Sequence, residues 1–451
     1  MVWLDLHDAS LLDEALRILQ DLIRINTSNP PGNETPAAQY LAQVLEKDDI
    51  TPQLLGPQPD RQSLIARVSG DGSLPPLLLV SHLDVVPATQ IGWSVDPFAG
   101  AFKDGFIWGR GAMDCKYRAV THAMILKLAK RNRLPLKRDI IIAACADEEA
   151  GGRLGMQWLT ENHLDLLDAE YVLGEGGGGE VPAPEGKYCA VGVAERGSCD
   201  VTITVRGPGG HSYKPKPGNA LIKLGRVLRA LEDPHLSSQL RPSAAAAIGK
   251  LAEDQAVPLK DLILALYNEE NRSHVLNDLR ACKPDLADWL EPTLYSSLVP
   301  TIVSGGSSPH SHPTEVRLHC NLRLLPGHDS TGTYGELMLR FNGIEGVELE
   351  IHQETFPSES RFDTELFQTI EDVYHEIRPG VRIVPWLLGG ATDVRFLRTP
   401  ERTVYGFFPS IMDLPFPIWN SITHGVDERI SLQNLQFAIT TLYRLVEKLC
   451  V

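Results

Sequence analysis

The chain reads as α/β. A doubly wound, mainly parallel sheet forms the principal domain, and a smaller α/β domain is inserted into it. Three observations predict this. Unbroken apolar runs at residues 77–81, 139–146 and 171–174 fit strands buried on both faces. A helical pattern over residues 115–131 separates the first two, which is the βαβ rhythm of a sheet with helices on both sides. After Val193 the period changes. CDVTITVRG, residues 199–207, alternates apolar and polar as a half-exposed strand of a different sheet does.

Along the chain, Ser10 followed by Asp13 resembles a capping box, and Leu16, Ile18, Leu19, Leu22 and Ile23 repeat at roughly helical spacing. NTSNPPGNE stops that helix, and Thr35-Pro36 opens a second, proline being tolerated at the first helical position. Past residue 193 the pattern predicts a helix over 219–231, a strand over 315–324 (EVRLHCNLRL), a helix over 331–341 and a strand over 347–351. Residues 240–295 add alanine-rich and acidic helical sequence to the insert. From Thr355 the doubly wound pattern resumes and ends in a helix over 432–449. The principal domain is therefore expected at 1–194 and 355–451, with the insert at 195–354. There is no internal repeat and no low-complexity tail.

At 451 residues the chain exceeds the usual size of one hydrophobic core. Its 43% hydrophobic and 22% charged content is ordinary for a soluble globular protein. Lys+Arg 42 against Asp+Glu 58 gives −16, which argues against nucleic acid or an anionic membrane as the main partner. Cysteines at 115, 145, 189, 199, 282, 320 and 450 form no CxxC pair and read as reduced, in a cytoplasmic protein. MVWLDLHDAS has neither the basic nor the apolar region of a signal peptide, and no apolar run approaches the roughly 18 residues of a spanning helix.

Carboxylates and histidines recur at the ends of short apolar runs. They are His82 and Asp84 in SHLDVVP, Asp114 in GRGAMDCK, Glu148-Glu149 in ADEEAGG, Glu175 in LGEGGGG and His424 in SITHGVDE. Open α/β sheets bind ligands at the carboxyl ends of their strands, and His82, Glu148-Glu149 and Glu175 sit just past such ends. Asp114 sits where the chain turns into a helix. Five of these groups suit a two-metal site, the other two a base and a ligand-orienting group. Imidazole and carboxylate bind zinc, and a carboxylate can bridge two ions. A free carboxylate nearby can take a proton from water and pass it to a leaving amine. Adjacent glutamates at a strand end point different ways, so one can bind metal while the other acts as base. Asp84, two residues after His82, suits a partner that fixes the imidazole tautomer.

SHLDVVP, GRGAMDCK, DEEAGG, GPGGHS, a GG-x-TD stretch and a late THG-x-DE occur in the order seen in M20 metallopeptidases, which the chain resembles over nearly its whole length. That family includes aminoacylases, carboxypeptidases, dipeptidases and N-acyl-amino-acid hydrolases. The resemblance implies two divalent metal ions per chain, zinc foremost with cobalt or manganese as alternatives. It implies His82, Asp114 as bridge, Glu149, Glu175 and His424 as ligands. It implies Glu148 as general base, Asp84 as orienting residue and His211 as the group that polarises the substrate carbonyl. The substrate expected is a small peptide or N-acyl amino acid, and the insert is expected to serve as lid and homodimer surface. Arg323 in NLRLLPG matches a position that often holds arginine and would pair with a substrate carboxylate. Gly390 and Thr392 belong to the GG-x-TD stretch at the substrate edge. Two departures stand out. Cys115-Lys116-Tyr117 replaces a glycine found shortly after the bridging aspartate, and His310-Ser311-His312-Pro313 replaces an Asn-x-Ile-Pro segment whose asparagine contacts substrate, which puts His310 at that contact.

Blander readings compete. A lone histidine is more often a satisfied core residue than a ligand, and Arg323 or the Gly389-Gly390 turn could be ordinary strand and loop. GEGGGG satisfies a dinucleotide fingerprint, but Val181-Pro182-Ala183-Pro184 follows where that motif needs a helix. His310, His312 and His319 could suggest a second metal site, and a loop plus one strand face explains them better. The functional rivals are a deacylase or desuccinylase of a biosynthetic intermediate, and a metal-binding protein on a retired hydrolase scaffold.

Overall fold

The computed structural model describes residues 9–181, 183 and 185–451. The N-terminal stretch read against a signal peptide lies mostly outside them, as do Pro182 and Pro184 of the segment after GEGGGG. The chain divides into two compact units. One comprises residues up to 193 with 360–385 and 392–451. The other comprises 194–359 with 386–391.

The first unit is built on a mixed sheet. Four parallel strands lie at its centre in the order Ile140–Cys145, Leu77–His82, Tyr171–Gly174, Thr403–Gly406. Ser63–Val68 joins antiparallel beside Ile140–Cys145, with Gln53–Leu55 outside it. The runs Leu77–His82, Ile140–Cys145 and Tyr171–Gly174 are buried at every residue, as strands covered on both faces must be. Helices Ala9–Arg24, Thr35–Glu46, Lys116–Arg131, Glu365–Ile377 and Leu432–Cys450 pack among themselves on this framework. Met156, Leu159, Leu167, Val394 and Leu397 form a core against Leu78, Val80, Ile141, Ala143, Val172 and Val404. Lys116–Arg131 is buried along nearly its whole length. Its Lys127 is satisfied by Asp48 at 2.6 Å, Glu14 at 3.1 Å and the Val44 carbonyl at 2.9 Å.

Ser10 is the second described residue of helix Ala9–Arg24. Thr35 is the first residue of the next helix and Pro36 the second, where no backbone N–H is needed. A small antiparallel ribbon pairs Arg429–Ser431 with Phe106–Trp108, setting the segment before Arg429 beside the one after Trp108.

The second unit is an antiparallel sheet in the order His235–Ser238, Tyr295–Gly305, Glu315–Leu324, Gly197–Arg206, Val347–Thr355. Glu315–Leu324 alternates buried and more exposed residues along its length. Val201, Ile203, Val205, Leu318, Cys320 and Leu322 form one core with Leu224 and Val227 of Ala220–Ala230 and Leu337 of Ser330–Arg340. Asn219 and Asp329 cap those helices, accepting from Ile222 N at 3.1 Å and Gly332 N at 2.7 Å. The alanine-rich stretch folds as helices Pro242–Glu253, Leu259–Ala265, Arg272–Cys282 and Pro284–Leu290. Residues 386–391 belong here although their sequence follows the first unit's rhythm. Trp386 stacks on Trp289 with centroids 3.4 Å apart, and Arg196 N donates to the Leu388 carbonyl at 3.2 Å.

His235 sits between Glu291 and Asp233, each 3.0 Å from a ring nitrogen, and the hydrogen bond to Glu291 raises its pKa. A raised folded-state pKa stabilises most below the ordinary value near 6.5 and ceases to do so once pH rises through the raised value. The gap in melting temperature between wild type and His235→Gln should therefore be widest at about pH 5.5 and shrink under alkaline conditions.

Candidate metal centre

The parallel strands bring their carboxyl ends together. His82, the last residue of its strand, pairs in register with Cys145. The turn carrying Glu148 and Glu149 follows that neighbour, and Glu175 follows the strand on the other side. Asp114 stands two residues before helix Lys116–Arg131. His82 Nε2 lies 3.1 Å from Asp114 Oδ1, 3.6 Å from Glu175 Oε2 and 3.9 Å from Glu148 Oε2. His424 Nε2 lies 3.2 Å from Asp114 Oδ2 and 3.3 Å from Glu149 Oε1. The two oxygens of Asp114 thus face two different imidazoles. Two groups of donor atoms result, His82, Asp114, Cys115 and Glu175 in one, Asp114, Glu149 and His424 in the other, each within 4.8 Å.

These residues fit a pair of divalent cations. Glu149 Oε1 is buried and faces only the His424 imidazole, itself a candidate ligand, as an oxygen reserved for a cation would. The carboxylates hold both imidazoles toward the charged form. Asp114 and Glu149 lift His424 to about 10, and Cys115, Asp114 and Asp84 hold His82 well above its ordinary value against the opposing effect of burial. Asp114 stays well below the usual carboxylate range despite burial because His424 and His82 bond to it. Glu148 goes the other way, pushed well up by burial and by the charge of Glu175. Cys115 was not foreseen as a candidate donor. Its thiol is pushed up by burial and meets the His82 main chain, with N to Sγ at 3.3 Å.

The supports are as specific as the donors. His82 Nδ1 lies 3.0 Å from the Asp84 carbonyl and 3.4 Å from Asp84 Oδ1. The main chain is the nearer tautomer-fixing partner, where the sequence points to the carboxylate. That carboxylate also accepts from Glu148 N at 3.1 Å, Glu149 N at 3.0 Å and Asn29 Nδ2 at 2.9 Å. Asp147, in the left-handed region at φ 71°, accepts from Arg61 at 2.7 Å, Asn29 at 3.2 Å and Leu154 N at 3.0 Å. Arg61 also pairs with Glu34 at 2.6 Å. Glu428 Oε1 accepts from Met113 N at 2.8 Å and Asp114 N at 3.0 Å, and its Oε2 pairs with Arg110 at 2.5 Å. Arg110 donates on to the carbonyls of His424 and Gly425, both at 3.0 Å. His424, at φ 58°, is held in a left-handed conformation by that bond.

GEGGGG owes its glycines to close packing. A Cβ on Gly178 (φ 91°) would sit 2.0 Å from the Phe408 carbonyl oxygen, and one on Gly177 2.2 Å from that of Gly406. No helix follows; the chain enters strand Lys187–Glu195. Gly178→Ala should cost more than about 2 kcal/mol through left-handed strain plus the backbone collision, read as a fall in urea midpoint.

Other sequence candidates lie elsewhere. In the second unit, exposed His211 pairs in register with Ser311, its ring against Tyr213 at 4.8 Å, and Ser212 N donates to the His310 carbonyl at 2.9 Å. His312 Nε2 contacts the Lys214 carbonyl and His319 Nδ1 contacts Thr202, so these histidines are spread over a loop and a strand. Arg323 Nε donates to Asn321 at 2.8 Å, and Gly390 lies in a bend. In the first unit, Thr392 is buried just before the short turn Asp393–Leu397. Sequence reasoning quoted Asp393 without a role. Both its oxygens are buried without a hydrogen-bond partner, and burial lifts it to about 8. Asn29, Arg61, Arg110, Arg118 and Glu428 were also missed, although Arg110 and Glu428 lie inside quoted motifs.

Two imidazoles and several carboxylates, gathered at the carboxyl edge of a mainly parallel sheet around places for two cations, define an α/β metallohydrolase. The chain belongs to peptidase family M20/M25/M40, which it matches over residues 78–448. It is 26% identical to the mouse (Mus musculus) N-fatty-acyl-amino acid synthase/hydrolase PM20D1, over 97% of this chain and 87% of that protein. It is also 26% identical to a Staphylococcus aureus protein named probable succinyl-diaminopimelate desuccinylase, over 95% and 97% of the two chains. The M20 family metallo-carboxypeptidase Sso-CP2 of Sulfolobus solfataricus shares the fold, with a TM-score of 0.71 at 18% identity, covering 96% of this chain and 99% of that one. Among the described residues no helix is long and apolar enough to cross a membrane.

Proposed function

We propose that this metallohydrolase cleaves a C–N amide bond in a small peptide or N-acylated amino acid, with Glu148 as general base. The observation that carries the reading is the Asp114 carboxylate set between His82 and His424, with Glu148 3.9 Å from His82 and outside both donor groups. His82, Asp114 and Glu175 would hold one ion, and Asp114, Glu149 and His424 the other. Bound there, two divalent ions, zinc foremost, supply Lewis acidity to the carbonyl and acidity to the attacking water. Glu148 takes the proton of that water as its oxygen bonds to the carbonyl carbon. It then delivers the proton to the nitrogen as the C–N bond breaks, and the second water proton passes from the new carboxyl group to the amine, leaving a carboxylate and an ammonium group.

On the family resemblance alone, His211 polarises the carbonyl, Arg323, His310, Gly390 and Thr392 contact substrate, and the second unit acts as lid and homodimer surface. N-acyl amino acids form a second reading within the same chemistry, favoured by the names of the mouse and S. aureus relatives. The test is hydrolysis of dipeptides and of N-acetyl, N-succinyl and long-chain N-acyl amino acids by chelator-stripped protein, with and without zinc, cobalt or manganese. Metal-dependent release of a free amino acid is the expected result. Equal release by stripped and reloaded protein would reject the mechanism.

A further inference from the structure

We propose that Arg118 makes the two halves of the centre unequal: by pairing with Glu175 it weakens metal binding at the His82–Asp114–Glu175 position relative to the Asp114–Glu149–His424 position. The inference rests on the two-metal reading and concerns residues of this chain alone.

Arg118 lies in the first turn of Lys116–Arg131, four residues past Asp114. Its Nη1 pairs with Glu175 Oε2, the same oxygen that faces His82 Nε2 at 3.6 Å. The oxygen a cation would take beside His82 is therefore already engaged by a fixed positive charge. The guanidinium is held there by its surroundings. It lies 5.8 Å from the Tyr117 ring centre and 5.6 Å from that of Phe408, and its Nε is buried without a hydrogen-bond partner. Swinging it out to water would give up both aromatic faces. The other half differs. Glu149 Oε1 faces the His424 imidazole at 3.3 Å, and among the described residues no lysine or arginine pairs with Glu149. Asp114 gives one oxygen to each side, so the contrast comes from Glu175 and Glu149. A dication entering the His82 side must draw Glu175 from Arg118 or sit beside the guanidinium, and either weakens binding. A dication entering the His424 side meets a carboxylate oxygen faced by the ligand imidazole of His424 and by no fixed cation.

An orienting residue and a competing one predict opposite signs. Removing a partner that merely orients a ligand lowers metal affinity about 10- to 100-fold. Removing a competing cation raises it. The experiment is a zinc titration of the full, chelator-stripped chain against a chromophoric chelator, repeated with cobalt and read by its visible absorption. Wild type should load in two steps separated by at least about tenfold, and Glu175→Ala should abolish the weaker step. Arg118→Ala and Arg118→Gln should tighten the weaker step about tenfold or more and leave the tighter one in place, closing the gap. The glutamine variant keeps bulk and an N–H toward Glu175, so it decides the matter if the alanine variant does not fold. A weaker step that loosens or stays unchanged in these variants would overturn the proposal, as would loss of the tighter step in Glu175→Ala. Two equal steps in wild type would overturn it while leaving the two-metal reading intact, whereas binding of no ion would overturn both.

Discussion

Glu148→Ala should keep two metal ions per chain and lose at least about 10²- to 10⁴-fold in kcat, the usual worth of a positioned general base. Metal retention follows from geometry, since Glu148 belongs to neither donor group. The turn that carries it is fixed by its own peptide nitrogen and that of Glu149, both donating to Asp84, and a side-chain truncation leaves those bonds in place. Loss of turnover follows because, of the carboxylates that face His82 Nε2 among the described residues, Glu148 alone belongs to neither donor group. Glu148→Gln tests the same point with shape preserved, since an amide cannot accept the proton. Metal analysis together with kcat decides: loss of an ion would make Glu148 a ligand, and unchanged turnover would remove it from the mechanism.

Glu428→Ala should destabilise the first unit by about 3–5 kcal/mol, as removal of one partner of a buried ion pair does. Arg110 and Glu428 are both buried, so the variant strands the Arg110 guanidinium. It also deprives Met113 N and Asp114 N of their acceptor. Since Arg110 carries the carbonyls of His424 and Gly425, the pair clamps together the two segments that supply Asp114 and His424. The double variant Arg110→Met with Glu428→Leu should recover much of the lost stability, because removing both charges avoids the stranded one. It should not recover zinc affinity, since neither segment is then held. Urea unfolding of the singles and the double, beside zinc titration, separates the two effects. Additive stability losses would show that the pair is not coupled.

Strands buried on both faces announce themselves locally, so residues 77–81, 139–146 and 171–174 were legible before any fold was known. The period-two run at 315–324 was legible for the converse reason, one face being covered and the other not. The donors were legible too, because a polar residue directly after a buried strand has one place to be in a parallel sheet, its carboxyl edge. That reasoning reached His82, Glu148, Glu149 and Glu175 from pattern, and motif order added Asp114 and His424. Asp84 was legible as a neighbour of His82, whereas its second task, accepting from two peptide N–H groups in the turn beyond the neighbouring strand, was not.

What the sequence determined by itself was the layer architecture and the candidate donor set, both written in short-range pattern. The tertiary structure alone decided the partners. Arg110 meets Glu428 across 318 residues, Arg118 meets Glu175 across 57, and Asn29 joins Asp84 to Asp147. No periodicity links such positions. A buried charge takes as its partner whichever opposite charge the completed fold sets beside it, and that neighbourhood exists only once the strands and helices have packed.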